Sequence, residues 1–270
     1  MKPMRKNSSN TLFGLMGMAV IVLLAPQSCT AEEAKAPAAK PAAQAESAPA
    51  AAPAAQAGGK SSIKGKIKLT GTAPKMKPLR MNADPVCAAS HTGPVLNEQV
   101  MVSADGGLQW VIVNITEGVT EKAPTPTTSV VMDQKGCQYS PHAFAIYDGQ
   151  KLEIKNSDKT LHNVHCYSGT STCFNRAMFQ GMPPISHEFK EAGIVKFKCD
   201  VHPWMTAYAL IAENPYFAVS GADGTFEIKD VPPGTYKVRA WHEKYGEQVQ
   251  DVTVKAGEPF TLDISFQAGA

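Results

Sequence analysis

Residues 193–205 read GIVKFKCDVHPWM, and the directions of their side chains decide what the rest of the chain can be. Val195, Phe197 and Cys199 alternate with Lys196 and Lys198, the period-two pattern of a strand with one apolar face. The thiol therefore points into a core at a strand end. His202 and Met205 follow in a short loop that Pro203 stiffens. Thiol, imidazole and thioether are all ligands of soft metals.

One more imidazole would complete a set, and NSDKTLHNVHCY, residues 156–167, offers His162 near the start of another expected strand. A thiolate, two imidazoles and a weak thioether make the trigonal site with axial methionine used for one-electron copper chemistry. Haem attachment would need C-x-x-C-H, and structural zinc sites usually bring two or more cysteines. A Cys199 nucleophile paired with His202 would leave Met205 without a role and lacks an orienting group. The expectation is one copper ion held by His162, Cys199, His202 and Met205.

Outward from these stretches the chain is strand-like. IKGKIKLTG, from residue 63, alternates Ile63, Gly65, Ile67 and Leu69 with lysines. GQKLEIKN sets Leu152 and Ile154 against Lys151, Glu153 and Lys155. TFEIKDVPPGTYKVRAW gives Phe226 and Ile228, a Pro-Pro-Gly turn, then Tyr236, Val238 and Ala240. PFTLDISF alternates Phe260, Leu262, Ile264 and Phe266. Such runs, bounded by Gly, Pro, Asn and Asp, predict an all-β chain of packed antiparallel sheets.

The chain has 270 residues and a formal net charge of +2, which gives no reason to expect nucleic acid as a partner. Lys2, Arg5 and Lys6 precede the apolar run TLFGLMGMAVIVLLA. That run falls short of the roughly 18 apolar residues of a spanning helix, so residues 1–29 read as an export signal. The run ends PQSC, which resembles a bacterial lipoprotein processing site with Cys29 as the lipidated residue, although Pro26 stands where leucine is usual. Residues 30–60, rich in Ala and Pro, read as a disordered tether. The expected location is the periplasm, or the outer side of the inner membrane or cell envelope, with membrane contact only through an N-terminal anchor.

Six cysteines occur. With Cys29 processed and Cys199 a ligand, four remain for an oxidising compartment. Cys166 and Cys173, across YSGTST, suit a loop-closing bridge, which leaves Cys87 to pair with Cys137.

Two family resemblances follow. DGTFEIKDVPPGTYKVRAWHEKYG resembles the carboxypeptidase regulatory-like, or transthyretin-like, sandwich, and IKGKIKLTGTAPK resembles its first strand. Residues 61–130 are therefore expected either to share one sandwich with 214–270 or to stand in tandem with it. HNVH at 162–165, EAG at 191–193 and C-x-x-H-P-aromatic-M at 199–205 resemble the blue copper proteins, the amicyanin branch above all; plastocyanins usually place four residues between the loop histidine and the methionine. The resemblance covers residues 131–213. It implies a Greek-key cupredoxin sandwich with the four ligands already named, and Asn163 bracing the ligand loop. The pair Cys166 and Cys173 is a departure from small cupredoxins.

The expected function is electron transfer, with the edge of His202 as exit and Pro203 and Trp204 as docking surface for a redox partner. Four protein ligands leave no open position for a substrate, so no enzyme is expected. Copper storage or delivery, and a surface-binding role for the C-terminal sandwich, are the alternatives. His165 falls opposite His162 on the strand and reads as structural. His142, Met178, Met182, Trp241 and His242 read as packing, and Asp200 as either a surface residue or a charge tuning the site.

Overall fold

The computed structural model describes residues 59–269. The export signal, Cys29 and the tether up to residue 58 lie outside the described residues. The chain opens with β1 (Ser61–Thr70), a single-turn α1 (Pro85–Ala89) and β2 (Ile112–Glu117). Nine strands follow: β3 (Val130–Gln134), β4 (Tyr139–Ser140), β5 (Ala143–Tyr147), β6 (Lys151–Asn156), β7 (His162–Ser168), β8 (Ser171–Met178), β9 (Ile185–Glu188), β10 (Gly193–Lys198) and β11 (Thr206–Ala212). The last six are β12 (Phe217–Val219), β13 (Thr225–Val231), β14 (Gly234–His242), β15 (Gly246–Val254), β16 (Phe260–Thr261) and β17 (Ile264–Gln267). Among the described residues no helix is long and apolar enough to cross a membrane.

The strands form four sheets. One runs β13-β1-β16, with β17 also on β1, and another β12-β2-β14-β15. These two enclose a core of Ile63, Ile67, Ile115, Ile228, Val238 and Phe266, among others. β1 and β2, early in the chain, are hydrogen-bonded to β13 and β14. Gly65 is required where β1 passes β16 and β17, because a Cβ there would lie 1.8 Å from the Leu262 carbonyl oxygen.

The intervening strands build the other two sheets, β5-β11-β10-β7-β8 and β4-β3-β6-β9. Their core holds Met132, Tyr139, Leu152, Ile154, Val164 and Phe197, with Phe144 stacked on Phe197 at 5.9 Å. Burying a side chain such as Phe197 contributes about 3 kcal/mol or more. Between the two sandwiches lies a third apolar cluster, Ile112, Ala143, Leu210 and Ala212. Beside it His142 pairs with Glu243, each under a tenth exposed. This partner explains the packing role of His142.

His242 is buried at the end of β14 against Tyr245 and Phe266. Burial disfavours its charged form and outweighs the nearby Glu243 carboxylate, lowering its pKa to about 4. The unfolded ring binds a proton near the ordinary value of 6.5, so between these values the unfolded state holds more protons. Stability therefore falls as pH drops from 6.5 toward 4, by roughly 3 kcal/mol in full. Denaturant titrations at neutral and mildly acidic pH test this. The His242→Gln protein is expected to lose much less stability on acidification than wild type, and an equal loss contradicts the assignment.

Candidate metal centre

The antiparallel pairing of β7 with β10 brings the start of one strand to the end of the other, with Lys198 opposite His165. His162 opens β7 and Cys199 follows directly on β10, so the two meet at one end of the sandwich. The loop after Cys199 turns back on itself: His202 N–H donates to the Cys199 sulfur at 3.3 Å, Met205 N–H to the His202 carbonyl at 2.9 Å, and Cys199 N–H to the Met205 carbonyl at 3.2 Å. The ligand atoms of His162, Cys199 and His202 all lie within 4.8 Å of one another. All three residues are buried, as is Met205, whose side chain packs in the same core.

The two imidazoles are oriented from behind. His162 Nε2 is 2.9 Å from Asp158 Oδ2, and His202 Nε2 is 3.1 Å from Asp84 Oδ2. Burial raises each carboxyl, but hydrogen bonds reverse this and hold both below the usual carboxylate range. For Asp158 they come from His162 and the backbone of Cys137 and Gly136; for Asp84, from Thr160, Val86, His202 and Cys87. An ionised carboxylate fixes the proton on Nε2 and leaves the Nδ1 lone pair free. The two Nδ1 atoms then face each other at 2.9 Å, with Cys199 Sγ 3.8 Å from that of His202. At that distance either one Nδ1 carries a proton and donates to the other, or a cation takes the place of that proton.

The electrostatics agree. Burial pulls the His162 pKa down, but Asp158 and the Cys199 sulfur more than reverse this and raise it to about 9. Burial pushes the Cys199 thiol up, yet bonds from His162 and from the backbone N–H groups of Asn163, His202 and Val201 lower it overall. Burial lowers His202, and Asp84 only partly offsets that. A raised His162 and a lowered Cys199 both ease the replacement of a proton by a soft cation. The donors present therefore fit copper, and Asp84 and Asp158 are the residues that would orient its imidazole ligands.

Asn163 braces the loop. Its Oδ1 accepts from Asp200 N–H at 2.6 Å, its Nδ2 donates to Asn175 and Asp200, and its carbonyl accepts from the Tyr139 hydroxyl. Asp200 also receives His165 on the outer face at 2.9 Å, so His165 stands away from the ligands. Met178 accepts from the Gln134 amide and is buried, whereas Met182 is exposed on the surface.

A disulfide joins Cys87 to Cys137 across 50 residues of chain, and closing a loop of that length contributes about 4 kcal/mol in the chain-entropy account. The expected Cys166–Cys173 bridge is absent: both are free thiols. Cys166 faces inward by the same alternation as His162 and Val164, while Cys173 is exposed at a bulge in β8, between Thr172 opposite Tyr167 and Phe174 opposite Cys166. Burial and the adjoining Cys173 thiol raise the Cys166 thiol well above its ordinary range.

The expected exit at the edge of His202 also needs correcting. His202 is 3% exposed, with Asp84 on its outer nitrogen, the Cys87 sulfur 3.7 Å from the same atom and the Trp204 ring beside it. Pro203 is exposed and Trp204 half-buried, its Nε1 donating to the Cys137 carbonyl at 3.0 Å.

Asp84 and Asp158 were missed from the sequence. The signals were there: Asp84 precedes Pro85 as the N-cap of α1, its carboxylate accepting from Val86 and Cys87 N–H, and Asp158 lies one helical turn's spacing before His162. Asp158 is held in turn by Gly136 and Cys137, both in left-handed conformation with φ of 64° and 53°. Their N–H groups converge on its two oxygens at 2.7 Å, a backbone nest around a carboxylate.

The described chain is thus an all-β sandwich protein with a His/Cys centre suited to a metal, and its similarities to known proteins are partial. A carboxypeptidase regulatory-like domain model matches residues 210–267. No curated protein matches the chain by sequence. Among solved structures, a Cu-containing nitrite reductase (NirK) from Thermus scotoductus SA-01 is 21% identical at a TM-score of 0.30, over 35% of this chain and 24% of that one. A purple cupredoxin from Nitrosopumilus maritimus is 26% identical at 0.26, over 28% and 82%. A reduced amicyanin variant is 23% identical at 0.29, over 31% and 82%. The chain thus spans about a quarter of the nitrite reductase and most of the two cupredoxins.

Asp158→Asn tests the role of the carboxylates. Losing such an outer partner typically weakens metal binding about 10- to 100-fold. Chelator competition with Co(II) is expected to read a fall of that order, and unchanged affinity contradicts the assignment.

Proposed function

We propose that this is an exported electron-transfer protein with one type 1 copper site held by His162, Cys199, His202 and Met205. The observation that supports it most is the convergence of two Nδ1 atoms and one sulfur, each imidazole tied at its outer nitrogen to a carboxylate. Copper bound there would supply one-electron cycling between Cu(II) and Cu(I). Thiolate and thioether suit Cu(I), imidazole suits both states, and a rigid ligand frame keeps reorganisation small. Four protein ligands leave no place for a substrate, which favours a carrier over an enzyme.

Because His202 is covered, its partner-facing route runs through Trp204, whose ring centroid is 5.0 Å from that of His202. Pro203 beside it supplies the exposed apolar contact for a redox partner, an encounter that ordinarily uses a small, weak interface. The N-terminal segment supports export, with Cys29 as the tether if lipidated.

The visible spectrum of the Cu(II)-loaded protein tests the site. An intense thiolate charge-transfer band is expected in wild type and absent from Cys199→Ser; a colourless wild type that prefers zinc overturns the reading. The route has its own test. Electron exchange with a small inorganic oxidant is expected to slow severalfold in Trp204→Ala with the spectrum preserved, and an unchanged rate removes Trp204 from the path.

A further inference from the structure

Both halves of the Cys87–Cys137 disulfide stand against the metal centre, and each meets the same kinds of group. Cys87 Sγ is 3.7 Å from His202 Nε2, and ligand atoms of Asp84, Cys87 and His202 gather within 4.8 Å. Cys137, Asp158 and His162 gather within the same limit. A sulfur, a carboxylate oxygen and an imidazole nitrogen therefore come together twice, directly behind the first set of ligands. As a disulfide the sulfurs are weak donors; as thiolates they are strong soft-metal ligands. Both cysteines are fully buried, but a surface cavity of about 280 Å³ with Leu79, Met81, Cys87 and His91 in its wall brings a small molecule close to the bridge.

We propose that Cys87 and Cys137 form a redox-switched second copper site, which binds one Cu(I) between their thiolates, beside Asp84 and Asp158, once the disulfide is reduced. A small-molecule dithiol, which the cavity beside Cys87 can admit, is the reductant. It gives two electrons and two protons: the Cys87–Cys137 bond breaks, both cysteines become thiols, and the donor closes to its own disulfide. Binding then releases the two thiol protons to water and leaves the oxidation state of Cu(I) unchanged. The carboxylates add negative charge that attracts the cation. In the oxidised protein the same bridge covers His202, so the chain holds one copper with the bridge closed and two with it open. The inference rests on the copper reading only for the identity of the metal.

The test is anaerobic titration of Cu(I) against a chromophoric Cu(I) chelator, in full-length Cys166→Ser/Cys173→Ser protein so that those two thiols add no copper. One tightly bound Cu(I) is expected with the disulfide intact, and two after reduction by a phosphine and its removal. Further replacement by Cys87→Ser and Cys137→Ser is expected to return the count to one under both conditions. A count of one after reduction overturns the second site and leaves the bridge a structural staple. A count of two in the serine-replaced protein, its fold checked by circular dichroism, overturns the placement. Zero with the bridge intact and one after reduction would reject the first site while supporting this one.

Discussion

The arrangement depends on two carboxylates that each hold a pair of N–H groups. Asp158 accepts the outer N–H of His162 and the backbone N–H of Cys137; Asp84 does the same for His202 and Cys87. The constraint works in both directions. It sets the imidazole tautomers so that both Nδ1 atoms converge on Cys199, and it anchors the two halves of the one disulfide against the same rings. Burying such charges is unfavourable without partners, and here every oxygen has an N–H or O–H partner, which is what keeps the carboxylates ionised.

Asp84 arrives from far along the chain. β1 and β2 belong to the sandwich completed by β13 to β17, and the connection between them, residues 71–111, carries α1 with Asp84 and Cys87, which meet His202. The sandwich is thus interrupted in sequence by β3 to β11, and Asp84 from its first half reaches their metal centre. The His142–Glu243 pair and the cluster around Ile112 and Leu210 join the two sandwiches. His202, which strand-and-loop reasoning makes an exit to the surface, is enclosed, with the half-buried Trp204 ring packed 5.0 Å from it.

How much of this was legible follows from the range of each signal. Alternation in GIVKFKC turned Cys199 inward correctly, because a strand's two faces are a local property. The same pattern names a face but not a neighbour, so the pairing of β1 with β13 could be posed only as one of two choices. The Cys166–Cys173 spacing suggested closure and does bring the two thiols together, but at a β8 bulge that leaves both free, and bulges leave little trace in composition. Asp84 lies 118 residues from His202; its N-cap motif was readable, its contact with the imidazole was not. Asp158 was local and still missed, since a carboxylate in a loop ordinarily reads as a solvated turn residue.

Nitrogen-15 NMR of the Cu(I)-loaded, diamagnetic protein reads this constraint most directly. The account predicts that His162 and His202 both carry slowly exchanging protons on Nε2, with metal-shifted Nδ1 resonances. A proton on Nδ1 of either ring, or metal on Nε2, would contradict it.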